Sequence, residues 1–203
     1  MGKLYLGNKE IGIILEDRSS RILSTDSNGV LTSTNEHFVL PAGAKKVPAQ
    51  MMRYKFYYDP AVKTVNFNEL EQTTGDQAFH YCFSNCPNLE YVDFGAFYYS
   101  NHTSAFQNCF ANCPKLTTVI MNNVATLTGQ NVFNSIFMNC TSLRELRFPA
   151  LTNVGTRKNG LNNMLGGCTN VVVHFRQDIR TSMEQMGSYP SFGGTNTTVL
   201  FDL

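Results

Sequence analysis

The chain has 203 residues and a formal net charge of +1 at pH 7, with 15% charged and 42% hydrophobic residues. A near-neutral chain of this length creates no basic field for nucleic acid or an anionic membrane, and it lacks the high net charge of disordered proteins. No apolar run approaches the length of a membrane span, and no dinucleotide, P-loop or metal motif occurs, so no cofactor and no metal are predicted.

The first 35 residues are predicted to form an element of their own. Residues 3–15 form two predicted strands about a Gly7-Asn8 turn, and the polar residues 16–35 are predicted to be a loop or linker. The hairpin would either cap the repeats that follow or attach the chain to a larger assembly, and both interpretations stay open. The N-terminus has no hydrophobic segment of a signal peptide.

From residue 36 to residue 175 the sequence repeats with a period of 27 residues. Apolar residues mark one phase of the repeat: Phe38, Val65, Val92, Val119, Leu146, Val173 and, one residue early, Val199. Cysteines mark a second phase: Cys86, Cys113, Cys140 and, one residue late, Cys168. A period sustained over this length predicts a solenoid of about seven rungs.

Each repeat is predicted to contain one strand. Val92 and Phe94 alternate with Tyr91 and Asp93, the pattern of a strand with one buried face. Strands one repeat apart must be parallel, because a crossover of more than about 20 residues joins them.

The segment before each strand is predicted to be a short helix. Phe79, Cys82, Phe83 and Cys86 have i, i+3, i+4, i+7 spacing, and the next two repeats have the same spacing. The aromatic segment 51–58 is interpreted as the first of these helices, packed inward through Met52 and Phe56. Residues 98–103 are predicted to be a long loop.

The repeats resemble a known family. The segment Phe137-Met-Asn-Cys140-Thr-Ser-Leu143-Arg-Glu-Leu146-Arg-Phe148-Pro-Ala-Leu151-Thr-Asn-Val154-Gly155 is similar to the BspA-like branch of the leucine-rich-repeat superfamily. The resemblance covers residues 36–175. Together with the repeats it predicts an α/β solenoid with one parallel β-sheet face and short helices on the other. The terminal segments predict an N-terminal β-hairpin cap and a C-terminal cap of a helix plus a strand.

Residues 176–203 are predicted to cap the array. A short amphipathic helix at 178–186 would precede a final strand at 197–203. The tail from Val171 to Leu203 is similar to the endings of repeat proteins encoded by phages and prophages of gut bacteria. This resemblance implies a location in the virion, as part of a phage tail, or in the bacterial cytoplasm before assembly.

The cysteines are predicted to be buried free thiols. Cys82 and Cys86 lie four residues apart, whereas zinc sites more often use Cys-x-x-Cys, and small buried hydrophobes at one phase explain a cysteine ladder. A disulfide between rungs is the alternative in an oxidising environment. Catalysis is not expected, because His80 and Cys82 would point to different helix faces. A cysteine-dependent enzyme remains a distant alternative.

The surface is therefore predicted to carry the function. Outward sheet positions and the Tyr-rich loop supply the candidate partner-binding residues: Tyr91, Asp93, Tyr98, Tyr99, Thr118, Ile120, Glu145 and Arg147. We expect a non-enzymatic recognition module that binds a protein or glycan on a host surface, or other virion proteins, as a phage tail or fibre-associated protein. A purely structural virion or tail component, attached through its N-terminal hairpin, is the alternative. Neither nucleic acid nor membrane insertion is expected, and either function is compatible with an oligomer.

Overall fold

The computed structural model describes residues 4–6, 9–11, 24–25, 31–32, 36–40, 43–155, 160–186 and 189–203. The strands in chain order are β1 (Leu4–Leu6), β2 (Lys9–Ile11), β3 (Ser24–Thr25), β4 (Leu31–Thr32), β5 (His37–Val39), β6 (Lys46–Val47), β7 (Thr64–Asn66), β8 (Gln72–Thr73), β9 (Tyr91–Asp93), β10 (Tyr99–Ser100), β11 (Thr118–Ile120), β12 (Thr126–Leu127), β13 (Glu145–Phe148), β14 (Val172–Phe175) and β15 (Thr198–Phe201). A 3-10 turn at Gln177–Ile179 leads into the α-helix α1 (Arg180–Glu184).

Two short antiparallel pairs precede the repeats. β1 pairs with β2, as predicted for the first hairpin, and the Gly7-Asn8 turn lies outside the described residues. β3 pairs with β4 inside the segment that was predicted to be a loop or linker. The functions predicted for this region, cap or attachment, stay predictions.

The chain then winds into a parallel β-solenoid of about six turns. The first sheet contains β5, β7, β9 and β11 in parallel, and β13, β14 and β15 form a further parallel sheet of the same phase. Val65 pairs with Val92 and Val92 with Val119, while Val173 lies between Leu146 and Val199. The predicted register of the apolar ladder is confirmed. The predicted number of rungs and the caps stay predictions.

A second parallel sheet lies on a neighbouring side of the first four rungs. It contains β6, β8, β10 and β12 in sequence order. In its buried interior the hydroxyls of Thr73 and Ser100 are hydrogen-bonded at 2.8 Å. The prediction of one sheet and a loop at residues 98–103 was wrong at Tyr99–Ser100, because a two-residue strand is too short to show an alternating pattern.

The third side is built from turns, and the prediction of a short helix in each repeat was wrong. Gln77, Tyr81 and Asn85 have φ values of 58, 54 and 62°, so every fourth residue is left-handed. The amide of Phe79 donates across to Ala105 O at 2.7 Å, whereas the amide of Cys82 donates back to Phe79 O at 3.0 Å. Alternate amides therefore pair between rungs and within turns, and the same arrangement recurs in the neighbouring repeats.

The core consists of ladders of side chains from successive rungs. The rings of Phe56, Phe83, Phe110 and Phe137 stack with centroid separations of 5.0, 5.7 and 6.0 Å. Met52 is also buried, as predicted. The C-terminal helix is shorter than the predicted 178–186 and packs inward through Met183. No helix among the described residues is long and apolar enough to cross a membrane.

Candidate functional site

The outward side chains of the first sheet and its continuation form the rows that were predicted. Strand register places these residues side by side: Tyr91 with Thr118, Asp93 with Ile120, Glu145 with Val172, and Arg147 with His174. Neighbouring parallel strands lie about 4.8 Å apart, so each row presents its side chains at a fixed short spacing. Six of the eight predicted residues therefore lie on strands of this phase.

Tyr91 and Asp93 form the centre of the first sheet face. Tyr91 is half-buried, and burial together with the Asp93 carboxylate raises the pKa of its phenol. Asp93 also has a structural role, because its Oδ1 accepts a hydrogen bond of 2.8 Å from the amide of Gly95. Asn66 accepts the equivalent bond from Asn68 one rung earlier. The turn thus fixes the position of the Asp93 side chain.

A charged cluster lies where the rows reach the C-terminal rungs. Arg147 Nε donates to Glu145 Oε1 at 2.5 Å. His174, only 8% exposed, has its Nδ1 2.9 Å from Asp202 Oδ1 and its Nε2 3.5 Å from Glu145 Oε1. His174 and Asp202 were not predicted as site residues, although His174 stands next to Arg147 in the row. The strand register was the signal that could have identified His174.

The structure separates the two predicted tyrosines from the rest of the site. Tyr99 belongs to β10 in the second sheet, where it pairs with Thr126. Tyr98 precedes it and is 43% exposed. The predicted binding residues are therefore divided between two sides of the solenoid.

A group of tyrosines on the turn side was missed by the sequence analysis. We call Tyr54, Tyr57, Tyr58 and Tyr81 the tyrosine cluster; three of its members are exposed by 41, 37 and 63% in chain order, and Tyr81 is half-buried. The prediction of a helix in this segment hid their common orientation. Tyr54, Tyr58 and Tyr81 all occupy left-handed positions of the four-residue turn pattern. That pattern is the signal that would have placed them together.

The cysteines are buried and free, as predicted. Four of them donate to a carbonyl of the preceding rung; for example, Cys140 Sγ donates to Phe110 O at 3.1 Å. Burial raises the pKa of the Cys82 and Cys140 thiols, which keeps them protonated and unreactive near neutral pH. In the part of the chain that the structure describes, no three His, Cys, Asp or Glu side chains are grouped to hold a metal ion.

Comparisons with known proteins identify the repeats. A family model described as "BspA type Leucine rich repeat region" matches residues 36–158 in six copies. Among solved structures, a leucine rich cell surface protein from Faecalibacterium prausnitzii A2-165 is similar, with 12% identity and a TM-score of 0.28. The match covers 87% of this chain, which spans 37% of that protein. No curated protein matches the sequence.

Proposed function

The chain belongs to the BspA-type leucine-rich repeat family, and on that premise we propose that it is a non-enzymatic recognition module that binds a protein through its first-sheet face. We define this face by the rows that contain Tyr91, Asp93, Thr118, Ile120, Glu145 and Arg147. The observation that carries the proposal is the register of these rows, which holds aromatic, apolar and charged side chains on a rigid hydrogen-bonded surface. A surface fixed before binding loses less conformational entropy when a partner docks.

The chemistry of the face supports a protein partner. Tyrosine and arginine are enriched at the energetic centres of protein interfaces, and Tyr91 and Arg147 occupy the two rows. The ion pair between Arg147 and Glu145 is exposed and adds little stability by itself. Its charges are therefore available to complement charges on a partner, which favours correct orientation and fast association.

We further propose that this recognition module is a phage tail or fibre-associated protein. Its support is the similarity of residues 171–203 to the endings of phage-encoded repeat proteins. The partner would then be a protein on the host surface or a neighbouring protein of the virion. A structural tail component attached through its N-terminal hairpin is the second candidate, and the antiparallel pairing of β1 with β2 favours it.

The test is a binding assay on the full chain with the double substitution Tyr91→Ala and Arg147→Ala. Binding to isolated host-surface and virion proteins is measured by surface plasmon resonance, and thermal unfolding verifies the fold. We expect the dissociation constant to rise by about 30-fold or more, which corresponds to about 2 kcal/mol. The matched control removes the same residue types from the turn side, Tyr58→Asn with Arg53→Ala, and should leave binding unchanged.

Unchanged binding by the sheet-face variant would refute the proposal. Deletion of residues 1–35 separates the two candidate functions. A truncated chain that still binds its partner supports recognition by the sheet face, whereas a folded truncated chain that no longer joins the particle supports the structural role.

A further inference from the structure

The tyrosine cluster is a continuous aromatic surface outside the core. Tyr54 and Tyr81 stack with their centroids 5.1 Å apart and their planes 8° from parallel. Tyr57 stands edge-on to Tyr54 at 5.4 Å and to Tyr58 at 4.5 Å. The core beneath is already filled, since Phe56 is fully buried behind the cluster's own turn segment. These rings therefore contribute exposed surface and leave the packing to the phenylalanines.

The backbone under these tyrosines is unfavourable for their residue type. Tyr54, Tyr58 and Tyr81 have φ values of 57, 61 and 54°. Bulky residues rarely adopt this region, which favours glycine and asparagine, and a left-handed residue costs about 1–2 kcal/mol. Asn108, one repeat after Tyr81, has the residue type that the backbone prefers. Local conformation thus does not explain why tyrosine occupies three of these left-handed positions.

Among the described residues, two buried polar atoms beside the cluster have no hydrogen-bond partner. The guanidinium carbon of Arg53 lies 5.1 Å from the centroid of the Tyr54 ring. The ring centroids of His80 and Tyr81 are 4.5 Å apart. Arg53 Nε and His80 Nδ1 are buried without a hydrogen-bond partner among the described residues. Burial and the charge of Arg53 lower the pKa of His80 to about 4, so this ring is neutral near pH 7. An unpaired buried polar atom costs about 1–3 kcal/mol, so these two residues, like the left-handed tyrosines, are not explained by the stability of the turn.

A row of polar side chains extends from the cluster along the solenoid. Successive repeats place these residues at one phase: Arg53, His80, Gln107, Asn134 and, one residue late, Asn162. Backbone hydrogen bonds between rungs confirm the order, because Tyr54 N donates to His80 O and Tyr81 N to Gln107 O. The turn segments 50–58, 77–85, 104–112, 131–139 and 160–166 contain no aspartate or glutamate. We call this row the amide row, after the three residues that follow His80.

We propose that the tyrosine cluster and the amide row form a binding surface for a neutral polysaccharide that lies along the turn side of the solenoid. Tyrosine rings offer large amphipathic contact areas at low entropy cost, and the apolar faces of sugar rings pack against them. The side-chain amides of Gln107, Asn134 and Asn162 are half-buried and supply hydrogen bonds for sugar hydroxyls. Because Arg53 and Lys55 are the only cationic residues of these turn segments, the surface lacks the phosphate contacts of nucleic-acid binding.

The experiment is affinity gel electrophoresis of the full chain in gels that contain dextran, galactomannan, hydroxyethyl cellulose or the acidic polymer alginate. The test variant is Tyr57→Ser with Tyr58→Asn, in which asparagine keeps a residue suited to the left-handed position. The control is Tyr98→Ser, which removes an exposed tyrosine that directly precedes strand β10 of the second sheet. A second variant, Gln107→Ala, tests the amide row without changing the cluster.

We expect at least one neutral polysaccharide to retard the parent protein. The cluster variant should lose affinity by tenfold or more, Gln107→Ala should weaken binding several-fold, and Tyr98→Ser should bind like the parent. Four results would overturn the proposal: no retardation by any neutral polymer, retardation by alginate alone, equal losses in the cluster and control variants, or full binding by the cluster variant. These outcomes leave the protein-binding proposal for the first-sheet face unaffected, because its variants lie on another side.

Discussion

Replacing Asn108 with alanine and, separately, with glycine tests whether the third side consists of turns or helices. Asn108 has a φ of 55° and is 6% exposed. Both replacements remove the same amide, so the loss of its contacts cancels when the two variants are compared. What remains is the difference between an alanine and a glycine in the observed backbone conformation.

A left-handed turn and a helix predict opposite signs for the difference in unfolding free energy between the alanine and glycine variants. A left-handed conformation costs alanine about 1–2 kcal/mol, while glycine loses about 0.4–1 kcal/mol more through the entropy of the unfolded chain. The glycine variant should therefore be more stable by about 0.5–1 kcal/mol. In a helix, alanine would be more stable than glycine by about 1 kcal/mol.

The assay is urea unfolding followed by circular dichroism for both variants. The control is the same pair of replacements at Gln107, the preceding residue, which is not among the positive-φ positions. There the alanine variant should be the more stable one. If the alanine variant is more stable than the glycine variant at both positions, Asn108 does not have the left-handed conformation.

Two further predictions concern a close contact between rungs and the burial of a thiol. Gly95→Ala should lower the free energy of unfolding by about 2 kcal/mol or more, because φ is +56° and the added Cβ would lie 2.1 Å from Asn68 O. Gly160→Ala, with its nearest contact at 3.7 Å, should change it by less than about 1 kcal/mol, and equal losses in thermal unfolding would contradict this explanation. Burial raises the pKa of Cys82 above its ordinary value of 9.0, so the stabilisation from its protonated thiol is complete below pH 9 and lost as pH rises through the folded pKa. From pH 8 to pH 10 the urea midpoint should fall further for the parent than for Cys82→Val. An identical fall in both proteins would show that the Cys82 thiol is not buried from solvent.

The strand ladder could be predicted because its physical cause is local and periodic. Val92 and Phe94 must both face inward, so their alternation with Tyr91 fixes the strand and its buried face. A shift of one residue would expose every valine, which makes the 27-residue register the only one that buries the ladder. The outward rows follow from the same register, and for that reason six predicted site residues were placed correctly on these strands.

The turn side could not be predicted from hydrophobic spacing alone. Two inward residues in every four give the same i, i+3, i+4, i+7 pattern as a helix, so Phe79, Cys82 and Phe83 fit both structures. The backbone preference of the remaining residues distinguishes them. Asn108 and Asn112 stand four apart at positions that suit a left-handed residue, and asparagine is among the residues most enriched there.

The turns also fit the spacing of the rungs better than helices would. A helix with its side chains is about 10–12 Å wide, whereas neighbouring strands are about 4.8 Å apart. One helix per rung would therefore spread the third side more widely than the two sheets. Turns whose alternate amides pair between rungs, as Phe83 does with Cys109 O at 2.9 Å, keep the third side at hydrogen-bonding distance.

Because of this backbone pairing, main-chain atoms and inward side chains stabilise the fold, while outward side chains are free to determine binding. The strand and turn hydrogen bonds that repeat between rungs join main-chain atoms, so an outward side chain can change without breaking them. Differences between rungs at outward positions are therefore informative about function. On the turn side, Tyr81 is replaced by Asn108 at the equivalent position of the next repeat. On the first-sheet side, Thr118 is replaced by Glu145 in the same way. The aromatic surface thus lies on the early rungs of one side and the charged cluster on the late rungs of another, so the two surfaces proposed for binding share no residue.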